Sequence, residues 1–192
     1  MNYIIVSHYT DKYKPYADNL KRSCEDRNIP CVIAYVLKQE TWVKDIQLKA
    51  KSILNAMEIF NYDVVWIDAD GEFNQYPHEF DKLAASNEYD LGLHYFKTTY
   101  NPNELVSSCM YFKNTEKVRQ LVRDWIELNE TNYEWDQRNL QKLIEDRNDL
   151  RIYHLPPEYM NIDGLDTFRT EKMTKEPVIT QYQASRIHAD KR

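Results

Sequence analysis

Two carboxylates one residue apart close an apolar run at Asp63-Val64-Val65-Trp66-Ile67-Asp68-Ala69-Asp70-Gly71. A run of this length, bounded by polar residues and glycine, predicts a buried strand with an exposed end. Residues i and i+2 of an extended segment face one side, so Asp68 and Asp70 are expected to share a space at the mouth of a sheet. Mg²⁺ or Mn²⁺ takes one or two carboxylates and completes its shell with phosphate oxygens and water. The pair suits a metal–diphosphate site, and the same Asp-Ala-Asp-Gly also makes an ordinary solvated turn.

The elements that must position this pair can be read from periodicity. Tyr3 to His8 predicts a first strand. A helix follows, with Tyr13, Tyr16, Ala17, Leu20 and Cys24 on one face, and Asn28-Ile29-Pro30 ends it. Cys31 to Val36 predicts a second strand, and Gln39 to Asp45 a polar loop. The next helix carries Ala50, Ile53, Leu54, Met57 and Phe60 as its core stripe. Asp90 to Phe96, Cys109 to Phe112 and Arg151 to His154 are further strands, the last stopped by Pro156-Pro157. Val118, Leu121, Val122, Trp125 and Leu128 mark one amphipathic helix, and Leu140, Leu143 and Ile144 a shorter one. Asn161 to Arg192 is polar and irregular, apart from a short strand over Val178 to Tyr182. Strands alternating with helices predict an α/β fold with a mixed, mostly parallel central sheet flanked by helices. Ligands of such sheets sit at the carboxyl ends of the strands, which brings Ser7, His8 and Tyr9 near Asp68 and Asp70.

Composition narrows the classes. The 192 residues, 42% hydrophobic, suit one domain with a real core. A net charge of −6 excludes a molecule that binds nucleic acid by its overall field. Apolar runs fall short of a membrane span, and the opening residues read as a strand rather than a leader. Cys24, Cys31 and Cys109 are odd in number and lack ligand spacing, which points to reduced thiols and a cytoplasmic setting. The three glycines, Gly71, Gly92 and Gly164, build neither a dinucleotide fingerprint nor a Walker loop. A phosphate ligand must then be held by metal, side chains and helix ends.

Several segments taken together resemble the small nucleotide-sugar glycosyltransferases of the GT-A type. They are Val6-Ser7-His8-Tyr9-Thr10, Trp42 with Lys49, Ile67-Asp68-Ala69-Asp70, Tyr111-Phe112-Lys113-Asn114-Thr115, Trp135-Asp136-Gln137, Leu155-Pro156-Pro157-Glu158-Tyr159 and Gln183-Ala184-Ser185-Arg186. The resemblance implies a single GT-A-like (Rossmann-like) domain over 1–192, with 161–192 closing over the donor. It implies metal-dependent transfer of a sugar from a nucleoside diphosphate donor, a UDP-sugar first, using Mn²⁺ or Mg²⁺. By the same resemblance Asp70 binds the metal, and Asp68 the metal or the donor ribose. Ser7, Tyr9 and Lys49 hold the nucleoside; Gln183, Ser185 and Arg186 close over the diphosphate; Asp136 and Gln137 line the donor sugar and acceptor. Two departures stand out. Ser107-Ser108 replaces an expected Ser-Gly, and Gln181 stands where a metal-ligating histidine is expected, with His188 as a substitute.

The chemistry leaves choices open. An inverting transfer needs a carboxylate to take the acceptor proton, a role Asp136 could fill. A retaining one leaves Asp136 and Gln137 to orient the sugar, which the Asp-Gln pair slightly favours. Asp136 would also make a helix N-cap. Tyr9 is the candidate for stacking on a base; His94 and His154 read as structural; Trp42 and Trp135 flank site segments. A non-catalytic nucleotide-sugar or carbohydrate-binding module and a metal-dependent phosphoryl-transfer enzyme are the alternatives. The acceptor class (glycan, protein, lipid-linked sugar or modified DNA base) is not specified by these residues.

Overall fold

Alternation along the first and third strands sets the architecture. Ile4 and Val6 of β1 (Tyr3–Tyr9), and Val64 and Trp66 of β3 (Asp63–Ile67), enter one core; Tyr3, Ile5, Val65 and Ile67 enter another. Strands buried on both faces need helices on both sides. The computed structural model describes residues 2–97, 103–164 and 173–187, the side chains of 186 and 187 excepted.

The main sheet runs β2-β1-β3-β6-β5-β7, with β2 at Cys31–Tyr35, β5 at Leu91–Phe96, β6 at Glu104–Phe112 and β7 at Ile152–His154. β1 lies parallel to β2 and β3, and β5 parallel to β7. β6 alone runs against its neighbours. The predicted mixed, mostly parallel sheet is therefore present. One core packs under α2 (Trp42–Phe60), α4 (Glu116–Thr131) and α5 (Asp136–Glu145); the other packs under α1 (Lys14–Glu25) and α3 (His78–Ala85).

Several elements depart from the sequence expectations. Trp42 to Asp45, expected in a loop, form the first turn of α2, because the Thr41 hydroxyl caps the helix by accepting from Lys44 N at 3.2 Å. Phe60, expected in the core stripe, is 38% exposed at the end of that helix, where Asn61 takes a left-handed cap at φ 53°. Tyr13 precedes α1 in a 3₁₀ turn rather than lying on its core face. α3 and the short strand β4 (Gly71–Phe73) carry too little periodicity to be read from sequence. The short strand expected over Val178 to Tyr182 is present as β9 (Ile179–Gln181); otherwise the C-terminal segment is less irregular than expected, since β8 (Asn161–Ile162) and β9 join β4 in a small sheet, β4-β9-β8, and α6 (Ala184–Ile187) follows.

β6 starts five residues before the expected Cys109 and carries a bulge. Gly92 pairs with Tyr111 and His94 with Val106, so β6 has extra residues around Ser107-Ser108. A bulge redirects the backbone groups it frees from the ladder. Ser107 N donates to Gln137 Oε1 at 3.3 Å, while on the other edge of β6 Ser108 O extends the β3 register by accepting from Asp68 N at 2.9 Å.

At the far end of the sheet Asp90, 1% exposed, ties β5 to β7 and α4. It accepts from Arg151 Nη2 at 2.9 Å, Arg151 N at 2.9 Å and Lys117 Nζ at 2.6 Å. Burial alone would raise its pKa, but Arg151 and Lys117 outweigh it and hold the carboxyl well below the usual range. A depressed folded-state pKa contributes stability above the unfolded value of about 3.9, lost as pH falls below it. Because both cations are partly exposed, Asp90→Asn is expected to cost about 1–3 kcal/mol at pH 7. The gap between variant and parent should close below about pH 4, as checked by urea unfolding across pH.

Candidate functional site

β3 ends at Ile67, so the two aspartates lie in a turn rather than on a strand. Gly71 N donates to Asp68 O at 2.8 Å, and the i, i+2 alternation does not apply. The turn nevertheless brings both carboxylates to one cleft, of about 160 Å³, whose walls include Tyr9, Trp42, Lys49, Asp68, Asp70 and Ser185. A Cβ on Gly71 would meet Ile67 Cγ2 at 2.5 Å and Asp68 O at 3.1 Å, so the close approach requires glycine.

Lys49 lies beneath the cleft on the inward face of α2, 4% exposed. Its ammonium donates to Ser107 O and Ser107 Oγ, each at 3.1 Å. It pairs with Asp68 Oδ1 at 3.1 Å and Asp136 Oδ2 at 3.3 Å, and lies 5.4 Å from the Trp66 ring centre. Burial pulls its pKa down, but Asp136 and then Asp68 outweigh that and raise it. Its hydrogen bonds go to the two Ser107 oxygens, while both carboxylates face it as ion pairs, and Asp136 Oδ2 has no hydrogen-bond partner among the described residues. Burial raises the pKa of Asp136, with Lys49 opposing and Asp68 adding to the rise.

Asp136 is the first residue of α5 and 3% exposed. Trp135 occupies the N-cap position, so the expected capping role for Asp136 is replaced by the contact with Lys49. Gln137 Oε1 accepts from the Ser107 hydroxyl at 3.3 Å, and its Nε2 donates to Glu104 Oε1 at 3.2 Å. Both residues support the cleft floor and stand behind its lining. Ser7 is likewise behind the wall, 1% exposed, its hydroxyl without a hydrogen bond among the described residues.

Asp70 is held differently. Its Oδ2 accepts from Ala184 N at 2.7 Å and its carbonyl accepts from Tyr182 N at 3.0 Å. The start of α6 therefore docks on the second aspartate and brings Ser185 into the wall. Gln183, at φ 52°, forms the bend before α6. The Arg186 side chain and His188 lie outside the described residues. Gln181 donates to Ser108 O at 3.1 Å, while its Oε1 is buried without a hydrogen-bond partner among the described residues. Burial, then the negative charge of Asp68, pushes Asp70 up to about 6.

Among the described residues no group of three or more His, Cys, Asp or Glu side chains converges on a metal position. The donor set still fits a divalent cation. Asp68 engages neighbours through Oδ1 and Asp70 through Oδ2, leaving each one further oxygen. The raised Asp70 also marks negative charge short of a counter-ion.

Trp66 was missed as a site residue. Its Nε1 donates to Asp68 Oδ1 at 2.7 Å, and its spacing of two from Asp68 was the available signal. His8 bonds Ser52 Oγ through Nδ1 at 3.0 Å, and its pKa is lowered to about 4 by burial and then by Lys49. Cys24, Cys31 and Cys109 are free thiols. No described helix is long and apolar enough to cross a membrane.

No protein-family model and no curated protein matches the chain. Solved structures do. A glycosyltransferase involved in glycosylation of the major capsid of PBCV-1 matches with a TM-score of 0.75 at 12% identity, covering 99% of this chain and 98% of that one. The chain has the GT-A glycosyltransferase fold. Glycosyltransferase GlyE of Streptococcus pneumoniae shares the fold with a TM-score of 0.61 at 16% identity, covering 93% of this chain and 54% of that one. This chain thus spans about half the length of GlyE. Mouse xyloside xylosyltransferase 1 matches with a TM-score of 0.60 at 9% identity, covering 96% and 99%. At such identities these likenesses speak to fold.

Two stability effects follow. Lys49→Ala leaves two carboxylates uncompensated and is expected to cost about 3–5 kcal/mol. Asp70 works oppositely. Its raised pKa penalises the fold in full above about pH 6, and the penalty fades toward the unfolded value near 4. Asp70→Asn should therefore stabilise the metal-free protein by about 1–2 kcal/mol at pH 7.5, with a smaller gain at pH 5, measured by denaturant unfolding.

Proposed function

We propose that the chain is a metal-dependent glycosyltransferase that moves a sugar from a nucleoside diphosphate donor, a UDP-sugar first, to an acceptor. The carrying observation is the gathering of Lys49, Asp68 and Asp70 on one cleft at the carboxyl ends of β1 and β3 in a GT-A fold, with Asp136 paired to Lys49 behind its floor. The whole chain works as one glycosyltransferase-like domain in the cytoplasm, and its free cysteines support that setting. The segment 161–192 serves to close over the donor; of its described residues, those at the start of α6 dock on Asp70, which supports this role.

Asp68 and Asp70 hold Mg²⁺ or Mn²⁺, which when bound stabilises the charge developing on the departing diphosphate. Tyr9, near Tyr35 at the cleft edge with ring centres 5.8 Å apart, offers a face to the base, and Ser7 shapes the turn that carries it. Ser185 approaches the diphosphate from α6, Gln183 sets the bend that carries it, and Arg186, whose side chain lies outside the described residues, supplies a cation suited to phosphate. Lys49 contributes by fixing Asp68 and Asp136, since its protons are already donated within the chain. The transfer retains the anomeric configuration. A carboxylate as buried as Asp136, facing an ammonium, is poorly placed to take a proton from an incoming hydroxyl. With Gln137 it orients the sugar indirectly, by holding Lys49 and Ser107 beneath the cleft.

The test is release of nucleoside diphosphate from UDP-, GDP-, ADP- and CDP-sugars with and without Mn²⁺. Release from one donor, metal-dependent and reduced about 100-fold or more in Asp70→Asn, is the expected result. Asp136→Asn should lower kcat with little change in donor KM. No release, together with no thermal stabilisation by any nucleotide with Mn²⁺, overturns the reading. Stabilisation without release would point to a binding module, and phosphate release without sugar transfer to a phosphoryl-transfer enzyme.

A further inference from the structure

Two cysteines come together away from the cleft. Cys24 lies in the last turn of α1, fully buried, and Cys31 opens β2, partly exposed and packed against the same core. The chain between them turns back on itself. Arg27 N and Ile29 N both donate to Cys24 O, at 3.1 and 2.9 Å, and Asn28 takes a left-handed bend at φ 54°. Ile5 N donates to Pro30 O at 2.9 Å, and Ile5 lies opposite Cys31 in the sheet. The first residue of β2 is thereby seated against the end of α1.

The two side chains meet at that seat. The Cys24 thiol donates a hydrogen bond to the Cys31 sulfur, which raises the pKa of Cys24 and lowers that of Cys31. Thiolate character and access decide which sulfur reacts first. Cys31 has both, since it stands on the outer strand of the main sheet, and Cys24 waits beside it. Cys109 has neither: it is fully buried, and burial pushes its thiol up. A structural zinc takes four ligands, and no third His, Cys, Asp or Glu joins the pair among the described residues. Two facing thiols with one accessible sulfur suit disulfide exchange instead.

We propose that Cys24 and Cys31 close a reversible disulfide on exposure to glutathione disulfide and so staple the end of α1 to the start of β2. The Cys31 thiolate attacks one sulfur of glutathione disulfide and displaces one glutathione thiolate. The Cys24 thiol then loses its proton to solvent, attacks the Cys31 sulfur and displaces the second glutathione. Two protein thiols are oxidised to one disulfide, and one glutathione disulfide is reduced to two glutathione thiols. The site is independent of what the cleft transfers.

Wild-type protein, Cys24→Ser and Cys31→Ser are equilibrated with mixtures of reduced and oxidised glutathione, alkylated, digested and mapped by mass spectrometry. Oxidised wild type is expected to carry a Cys24–Cys31 linked peptide with Cys109 still alkylated. Its thermal midpoint should rise by about 5 °C and fall back with dithiothreitol. Cys24→Ser should hold one glutathione on Cys31, and Cys31→Ser none. The wild-type peptide map and thermal shift decide the matter even where a variant fails to fold. Three thiols surviving the most oxidising mixture, a lasting glutathione adduct on wild-type Cys31, linkage through Cys109 or between chains, or no thermal shift overturns the proposal.

Discussion

A buried ammonium shared by two carboxylates is the constraint on which the site depends. Lys49 joins α2 to the turn after β3, the bulge of β6 and the first turn of α5. Without a cation at their centre, Asp68 and Asp136 would repel each other in a desolvated space, and the four segments would lose their common anchor. The internal cation serves Asp68 and Asp136 directly. Asp70, two residues further on, accepts from backbone N–H groups and makes no ion pair with Lys49, and burial with the charge of Asp68 raises its pKa. One fixed positive charge thus contacts two of the acidic residues and leaves the third beside them.

The small sheet gives that carboxylate its surroundings. β4 follows the acidic turn directly and pairs with β9, so Gly71 lies opposite Gln181 and the chain beyond β9 passes Asp70. Two hydrogen bonds from Tyr182 and Ala184 then seat α6 at the edge of the cleft. A segment nearly 120 residues distant in sequence becomes a wall of the site through three paired residues and one carboxylate.

The central strands were legible because burial on both faces leaves unbroken runs such as Val64 to Ile67, and α4 because its apolar stripe is regular. α3, β4 and β8 were not legible, since so few residues carry too little periodicity against a background of tertiary contacts, whereas β9 was read as the short strand over Val178 to Tyr182. At the site, Asp68, Asp70, Tyr9 and Ser185 were placed in one cleft by topology and motif. Lys49 was named, but its burial was not, because a lysine in an amphipathic helix normally faces water. Ser107 and Trp66 act through a carbonyl, a hydroxyl and an indole N–H that only the pairing of β3 with β6 and the packing of α2 bring to bear.

The bulge in β6 makes that strand intolerant of a change in length. Its carbonyls at Ser107 and Ser108 serve Lys49, and Asp68 N with Gln181, respectively. These are backbone groups, available from any residue that accepts the local conformation. The hydroxyl of Ser108 turns away to Met160 Sδ at 3.2 Å, so a serine where glycine was expected does not alter the carbonyl it offers. Deleting a residue here would let β5 and β6 pair more regularly while withdrawing the acceptors from the ammonium. Drift in residue identity is cheap at Ser108, whereas Ser107 also serves Lys49 and Gln137 through its hydroxyl, and drift in residue number is costly at both.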